Sequence, residues 1–296
     1  MRQLHCSGIH TASLALSLLC ACQAGAGLLA HFTADGTAND RAGGHAGTLV
    51  NGAGFGPGVA GEAFSFNGFN QYVVSDEDPA WAFGMEPFTV SVWVNFDVVK
   101  SGAPGALPNV FVGQDDGSGG LMKWVFFTSG QGDVSFHING TAFIFMSAPG
   151  QFFPAPGEWH HYVVTRLGQA FTFYVDGNSL GSVEYDVFVP NASYPLTIGQ
   201  AEGLGFLDGR IDDVQIYNEA LTPAEVAFLA QNPGSTVSFQ CPADLNDDGI
   251  VDGADLGVML GSWGPCGACI ANINGQGGVD GADLGILLGS WGPCGG

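Results

Sequence analysis

The sequence predicts an all-β sandwich of the jelly-roll kind, followed by a small helical module built on two copies of one acidic loop. Three observations predict it. Short segments of alternating apolar and polar residues, punctuated by glycine, recur from residue 27 to about 232, the period-two pattern of half-buried strands. Two Asx-Gly dipeptides, Asn139-Gly140 and Asp176-Gly177, lie between such segments, as in two-residue hairpins whose turns need positive φ. Near the C-terminus, Val251 to Gly257 returns as Val279 to Gly285, an offset of 28 residues that marks an internal repeat. The 48 glycines and 22 phenylalanines, with only 11% charged residues, fit tight turns and strands rather than disorder.

The chain opens on Met1-Arg2-Gln3-Leu4-His5, an apolar run from Thr11 to Ala21, and Ala24-Gly25-Ala26. This is the layout of a secretory signal peptide over residues 1–26, and it predicts export. The run is too short to span a bilayer, which takes about 20 residues, and no other segment is long and apolar enough, so no membrane span is expected. Leu19-Cys20-Ala21-Cys22 loosely resembles a lipobox, which makes lipid anchoring at Cys22 the alternative to ordinary cleavage after Ala26. The remaining cysteines, Cys241, Cys266, Cys269 and Cys294, read as two disulfides of an exported protein. A zinc site is the rival, but paired C-x-x-C units are lacking. A formal charge of −22 with six Lys plus Arg excludes nucleic-acid binding as a main activity and disfavours anionic membrane surfaces.

Along the sandwich, Phe88 to Phe96 puts Phe88, Val90, Val92, Val94 and Phe96 on one face and Thr89, Ser91 and Asn95 on the other, so the strand reads as half buried. Asp133 to Met146 and Ala170 to Val183 read as hairpins about Asn139-Gly140 and Asp176-Gly177. Thr222-Pro223-Ala224-Glu225 is a capping box with proline at the first helical position, and Val226, Leu229 and Ala230 follow at helical spacing up to Gln231. Asn232-Pro233-Gly234-Ser235 ends that helix. The organisation expected is a signal peptide over 1–26, the sandwich over 27–232, a linker over 233–240 and the repeat pair over 241–296.

Several stretches resemble successive signatures of the laminin-G-like jelly roll of the concanavalin type. They are Leu28-Leu29-Ala30-His31-Phe32, Ala63 to Gly68, Phe88 to Phe96, Gly157-Glu158-Trp159-His160-His161-Tyr162, Tyr174-Val175-Asp176-Gly177 and Gly209 to Tyr217. Their order runs over nearly all of residues 28–230. The resemblance implies a lectin-like domain. Glycosidases of similar fold carry a Glu-x-Asp-x-x-Glu strand, which is missing here, and the Glu158–His161 stretch is a structural strand in that family. No Gly-x-Ser-x-Gly elbow or His-Glu-x-x-His helix occurs, so no catalysis is expected. Asp212 shares the buried face of Val214 and Ile216 and needs a partner, and Asp40 lies where related jelly rolls supply a cation ligand. The pair is a candidate calcium site, against an ion pair of Asp212 with Arg41 or Arg210, while Asp213 should face solvent. Trp81, after Asp78-Pro79-Ala80, is the candidate sugar platform, and Trp93 and Trp159 belong to the core.

In the tail, Asp244, Asn246, Asp248, Asp252 and Asp255 occupy positions 1, 3, 5, 9 and 12 of a twelve-residue loop, with Gly249 at position 6 and Ile250 at position 7. That is the register in which side-chain oxygens, plus the Ile250 carbonyl, surround calcium. Asn272, Asn274, Gln276, Asp280 and Asp283 repeat the pattern with two carboxylates in place of four, so a weaker site is expected. Leu256, Met259, Leu260 and Trp263 have the spacing of a short helix packing inward. The duplicated loop and helix resemble type I dockerin modules, which implies docking to a cohesin-like or other surface receptor. The positions that carry a hydroxyl pair in that family hold Gly253-Ala254 and Gly281-Ala282, and no cationic side chain follows Arg210, so a different receptor is as open as a cohesin. The disulfides can pair as Cys241–Cys266 with Cys269–Cys294, or as Cys241–Cys294 with Cys266–Cys269. The expected function is secreted, non-catalytic binding of a glycan or an extracellular protein, with calcium as cofactor. The alternatives are an accessory or enzymatic part in polysaccharide catabolism and a purely structural surface protein.

Overall fold

The computed structural model describes residues 27–102, 107–115, 122–140, 143–237, 242–246, 250–266 and 269–293. Residues 1–26, expected to be a signal peptide and including Cys20 and Cys22, and also Asp248, Cys241 and Cys294, lie outside the described residues.

Fifteen described strands form the sandwich. In order they are β1 Leu28–Phe32, β2 Gly47–Val50, β3 Gly54–Pro57, β4 Glu62–Asn67, β5 Tyr72–Ser75, β6 Phe88–Val98, β7 Asn109–Asp115 and β8 Lys123–Thr128. They continue with β9 Ser135–Asn139, β10 Phe143–Ser147, β11 Trp159–Leu167, β12 Ala170–Val175, β13 Asn178–Glu184, β14 Leu196–Ile198 and β15 Asp208–Tyr217. The first sheet runs β13-β12-β11-β6-β15-β4-β3, and β1 takes over from β4 along the second half of β15. The second sheet runs β10-β9-β8-β7-β14-β5-β2. All pairings are antiparallel, and the core between the sheets is rich in aromatic rings such as Phe88, Phe96, Phe111, Trp124, Phe126, Phe136 and Tyr162.

The hairpin at Asp176-Gly177 forms as its sequence asks. Val175 pairs with Asn178, and φ is 50° at Asp176 and 77° at Gly177, the type I′ signature. β9 and β10 pair from Asn139 to Phe143, with Thr141 and Ala142 of their connection outside the described residues. The helix α1, Pro223–Gln231, carries both hydrogen bonds of its capping box and buries Val226 and Leu229.

β6 differs from the half-buried strand expected of it, because both of its faces are covered from Phe88 to Phe96. The polar face works as an anchor for what lies over it. Thr89 Oγ1 donates to Glu219 O and accepts from the Leu221 N–H, and Asn95 Nδ2 donates to Gly157 O. The segment after α1 also packs down rather than standing free. Gly234 N–H donates to Asp213 Oδ2, Gln215 Nε2 donates to Ser235 O, and Val237 N–H donates to Tyr217 Oη. Residues 233–237, read from sequence as the start of a linker, therefore belong to the outer layer of the first sheet.

The C-terminal residues form helices α2, Gly253–Gly261, and α3, Gly281–Gly289, with a short ladder joining β16, Ile250–Val251, to β17, Gly292–Pro293. Their core contains Ala243 and Ala271, Val251 and Val279, and Met259 and Leu287, each pair separated by the repeat offset. Leu256 packs against this cluster, but Leu260 and Trp263, expected to point inward, are about half exposed. Cys266 and Cys269 are bonded to each other, which sets aside the pairing of Cys266 with Cys241. No helix among the described residues is long and apolar enough to cross a membrane.

Candidate functional site

Four neighbouring strands of the second sheet carry two rows of side chains on its outer face. In one row Asp115 of β7 pairs with Lys123 of β8, Lys123 with Asn139 of β9, and Asn139 with Phe143 of β10. In the next row Gly113, Val125, His137 and Phe145 follow the same sequence. The alternate residues Trp124, Phe126, Phe136, Ile138 and Met146 belong to the core, so the period of two sends these rows outward. The face therefore grades from charged on β7 and β8 to aromatic on the edge strand β10.

At the charged end, Lys123 is buried, lies 3.7 Å from Asp115 Oδ2 and contacts Glu202 Oε1. A buried ammonium needs such partners. Glu202 arrives from the turn Ala201–Leu204, closed by reciprocal backbone hydrogen bonds, with φ of 57° at Glu202 itself. At the aromatic end, the His137 ring stacks on Phe145 with centroids 4.0 Å apart, and meets Phe143 edge-on at 4.9 Å. Burial pushes His137 down to about 4, with the Lys123 ammonium acting in the same sense against the hydrogen bond to Ile144 O. Phe143 is 66% exposed. With Leu107, Pro108, Leu204 and Gly205, these side chains line an open groove of about 400 Å³, within the roughly 300–1,000 Å³ of small-molecule sites. Polar groups at one end and aromatic faces at the other are what orient a ligand that is polar at its edges and apolar on a face.

Sequence reasoning missed this groove. Its one local signal is the alternation Phe143-Ile144-Phe145 on an edge strand, and Glu202 comes from a distant turn that no spacing announces. The residue it did select, Trp81, is fully buried. Asp78 caps the short turn Pro79–Trp81, which directs the indole into the core, where Nε1 donates to Asp76 O. A ring with no exposed face cannot stack on a sugar, so Trp81 is core. Trp93 is core as expected, stacked on His161. His161 Nε2 hydrogen-bonds Ser91 Oγ with both residues buried, and His160 Nδ1 meets Asp176 Oδ2.

The structure buries Asp40 and Asp212 but gives them different partners. Asp40 accepts from the N–H groups of His31, Ala42 and Gly43 and from His45 Nδ1, which fills both oxygens. Asp212 Oδ2 accepts from Val59 and Ala60 N–H, while Oδ1 has no partner. Arg41 reaches Asp35 instead, and Arg210 donates to Pro57 O and Asn95 Oδ1. Among the described residues no group of three or more His, Cys, Asp or Glu side chains is close enough to hold a metal, and Asp40 and Asp212 accept hydrogen bonds from separate sets of donors. Asp213 is buried, contrary to its expected exposure. β15 matches Asp212 to Trp93 but Gln215 to Ser91, and the extra residue forms a bulge at Asp213, where φ is 51°. The bulge turns two successive carboxylates inward. His31 Nε2, Gln215 Nε2 and the Gly234 N–H then surround Asp213.

In the tail, Asp255 Oδ1 accepts from Leu245 and Asn246 N–H and Oδ2 from Asp252 N–H, closing the first loop end to end. The second loop repeats this, with Asp283 Oδ1 accepting from Asn274 N–H and Oδ2 from Asp280 N–H. Asp252 and Asp280 cap their helices through Ala254 and Ala282 N–H. At position 1 of the second loop, Asn272 Oδ1 is buried with no hydrogen-bond partner, an orphaned oxygen of the kind a cation satisfies. That oxygen fits a cation, while Asn274 Oδ1, Asp280 Oδ1 and both oxygens of Asp283 accept backbone hydrogen bonds within the loop. Asp244, Asn246 and Ile250 stand at the matching positions of the first loop, and Asp248 and Gly249 fall outside the described residues.

The Laminin_G_3 family model, described as concanavalin A-like lectin/glucanases superfamily, matches residues 67–227. No curated protein matches the chain. Among solved structures, the fold is similar to domain 4 of AbnA, an extracellular arabinanase from Geobacillus stearothermophilus, in complex with arabinotriose. The TM-score is 0.58 at 19% identity, over 70% of this chain and 100% of that one. The binding domain of Paraclostridial mosquitocidal protein 1 gives 0.55 at 16% identity, over 69% of this chain and 52% of that one. The binding domain of botulinum neurotoxin serotype G gives 0.54 at 15% identity, over 72% and 53%. This chain thus spans about half the length of the two toxin domains, and at these identities the likeness concerns the fold.

Proposed function

The chain belongs to the concanavalin A-like lectin/glucanase superfamily, and from that premise we propose that it is an exported, non-catalytic binding protein whose sandwich takes a glycan. The observation that supports this most is the groove in which Lys123 and Glu202 face Phe143, Phe145 and His137. It offers fixed polar groups beside exposed aromatic surface, the combination a sugar ring requires. The likeness to a domain seen with arabinotriose supports a glycan as ligand, and also a place beside polysaccharide-degrading enzymes.

In the same proposal, residues 1–26 are the export signal and residues 241–296 form a dockerin-like, calcium-dependent docking module for a surface receptor. Asp244, Asn246, Asp248, Ile250, Asp252 and Asp255 hold the stronger ion; Asn272, Asn274, Gln276, Asp280 and Asp283 hold the weaker one. Cys241 and Cys294 form the second disulfide, beside Cys266–Cys269. When bound, calcium would neutralise the loop carboxylates, and the chain's own contribution is to seat each helix start on its loop.

Glycan-array binding by the full chain, compared with the variant Phe145→Ala, tests the sandwich. Binding that the variant abolishes is expected, and an array with no hits removes the proposal. Calorimetric calcium titration tests the tail. Asp248→Ala should erase the tighter of two heats, and unchanged heats would remove the ligand assignment.

A further inference from the structure

We infer that the groove on β7–β10 takes an uncharged saccharide, with an apolar ring face laid on Phe143 and Phe145 and hydroxyls turned toward the Lys123–Glu202 end. The inference rests on the reading of that groove as the glycan site and adds the class of sugar. It follows from where the cations are. An acidic sugar, whether carboxylated or sulfated, needs a cation free to meet it. The groove's one ammonium, Lys123, is flanked by Asp115 and Glu202, so the three groups together carry a net negative charge. His137 adds no positive charge near neutral pH, because burial holds its ring in the neutral form.

The rest of the described chain offers no substitute. Arg41 pairs with Asp35, Lys100 donates to the carbonyls of Gly68 and Phe206, Arg166 is buried against Gly84 O and Gly168 O, and Arg210 donates to Pro57 O and Asn95 Oδ1. Of these, only Arg41 keeps an exposed side chain, beside Asp35 and on the other sheet's side of the sandwich from the groove lining. The net charge of −22 repels a polyanion at long range as well. A neutral sugar meets neither obstacle. Its hydroxyls can donate to carboxylate and amide oxygens, and its C–H face covers Phe143, which the protein leaves exposed.

The test is equilibrium binding of the full chain to arabinotriose and cellohexaose, as neutral probes, against tetragalacturonate and a sulfated carrageenan tetrasaccharide. A neutral probe should bind at least tenfold more tightly than either acidic one, and Phe143→Ala, at an exposed position, should weaken it tenfold or more. Glu202→Gln should raise tetragalacturonate binding by releasing one partner of Lys123; no rise overturns the charge argument. Acidic probes that bind as well as neutral ones, and still respond to Phe143→Ala, overturn the inference while leaving the groove as the glycan site. No binding by any probe, or binding indifferent to Phe143→Ala, overturns both.

Discussion

Asp212 enters the protein with one carboxylate oxygen held by two backbone N–H groups and the other unpartnered. Burial, with Asp213 alongside, raises its pKa to about 7 against the opposing hydrogen bonds from Ala60 and Val59. The folded state then keeps a proton that the unfolded chain releases near the ordinary carboxylate value of about 3.9. Stability from this group is therefore full at the acid end and is lost as pH rises toward 7. In calcium-free buffer the wild type should lose stability between pH 4.5 and 7.5 relative to Asp212→Asn, by on the order of 2 kcal/mol. Parallel denaturation curves for the two proteins would contradict this. Its burial was legible, since Asp212 alternates with Val214 and Ile216. That Asp213 would be buried too was not, because alternation assumes an unbroken ladder and the bulge breaks it. Trp81 misled for a related reason: Asp-Pro-Ala announces a turn but not which way the next ring points.

At the scale of elements, local chemistry settled most of what could be read. Asp176-Gly177 fixed a hairpin, Thr222 to Glu225 fixed the start of α1, and the spacing of Leu256 and Met259 marked α2, while the capping by Asp252 and Asp280 showed only in the structure. The exposure of a strand's second face was beyond reach, because Thr89, Ser91 and Asn95 are polar yet covered by segments more than sixty residues distant in sequence. The groove depends on the same kind of long-range closure. Its wall turns at Gly205, where φ is 61°, and an added Cβ would stand 2.1 Å from Leu107 O and 2.5 Å from Val110 Cγ2. Gly205→Ala should accordingly destabilise the sandwich by about 1–3 kcal/mol and displace Glu202 enough to abolish glycan binding. A variant of native stability and affinity would show that this turn does not shape the site.

For the whole molecule, two cores of very unequal size lie on one chain. The sandwich holds its aromatic interior between two sheets, while the tail relies on a cluster built around Val251, Met259, Val279 and Leu287. So small a core predicts a tail dependent on staples. Calorimetry in chelator should show the tail's transition lost or moved to lower temperature, with the sandwich's transition in place; a single unchanged transition would argue against metal dependence. The fastening of residues 233–237 along β15 bears on what such a tail does when it is held. From Val237 the chain reaches Pro242 in five residue steps, at most about 18 Å when fully drawn out. Tension on the anchored end is thus delivered almost at once to a strand bonded to β6, β4 and β1. If the proposed docking holds, so short a connection would keep the groove near the surface that holds the tail.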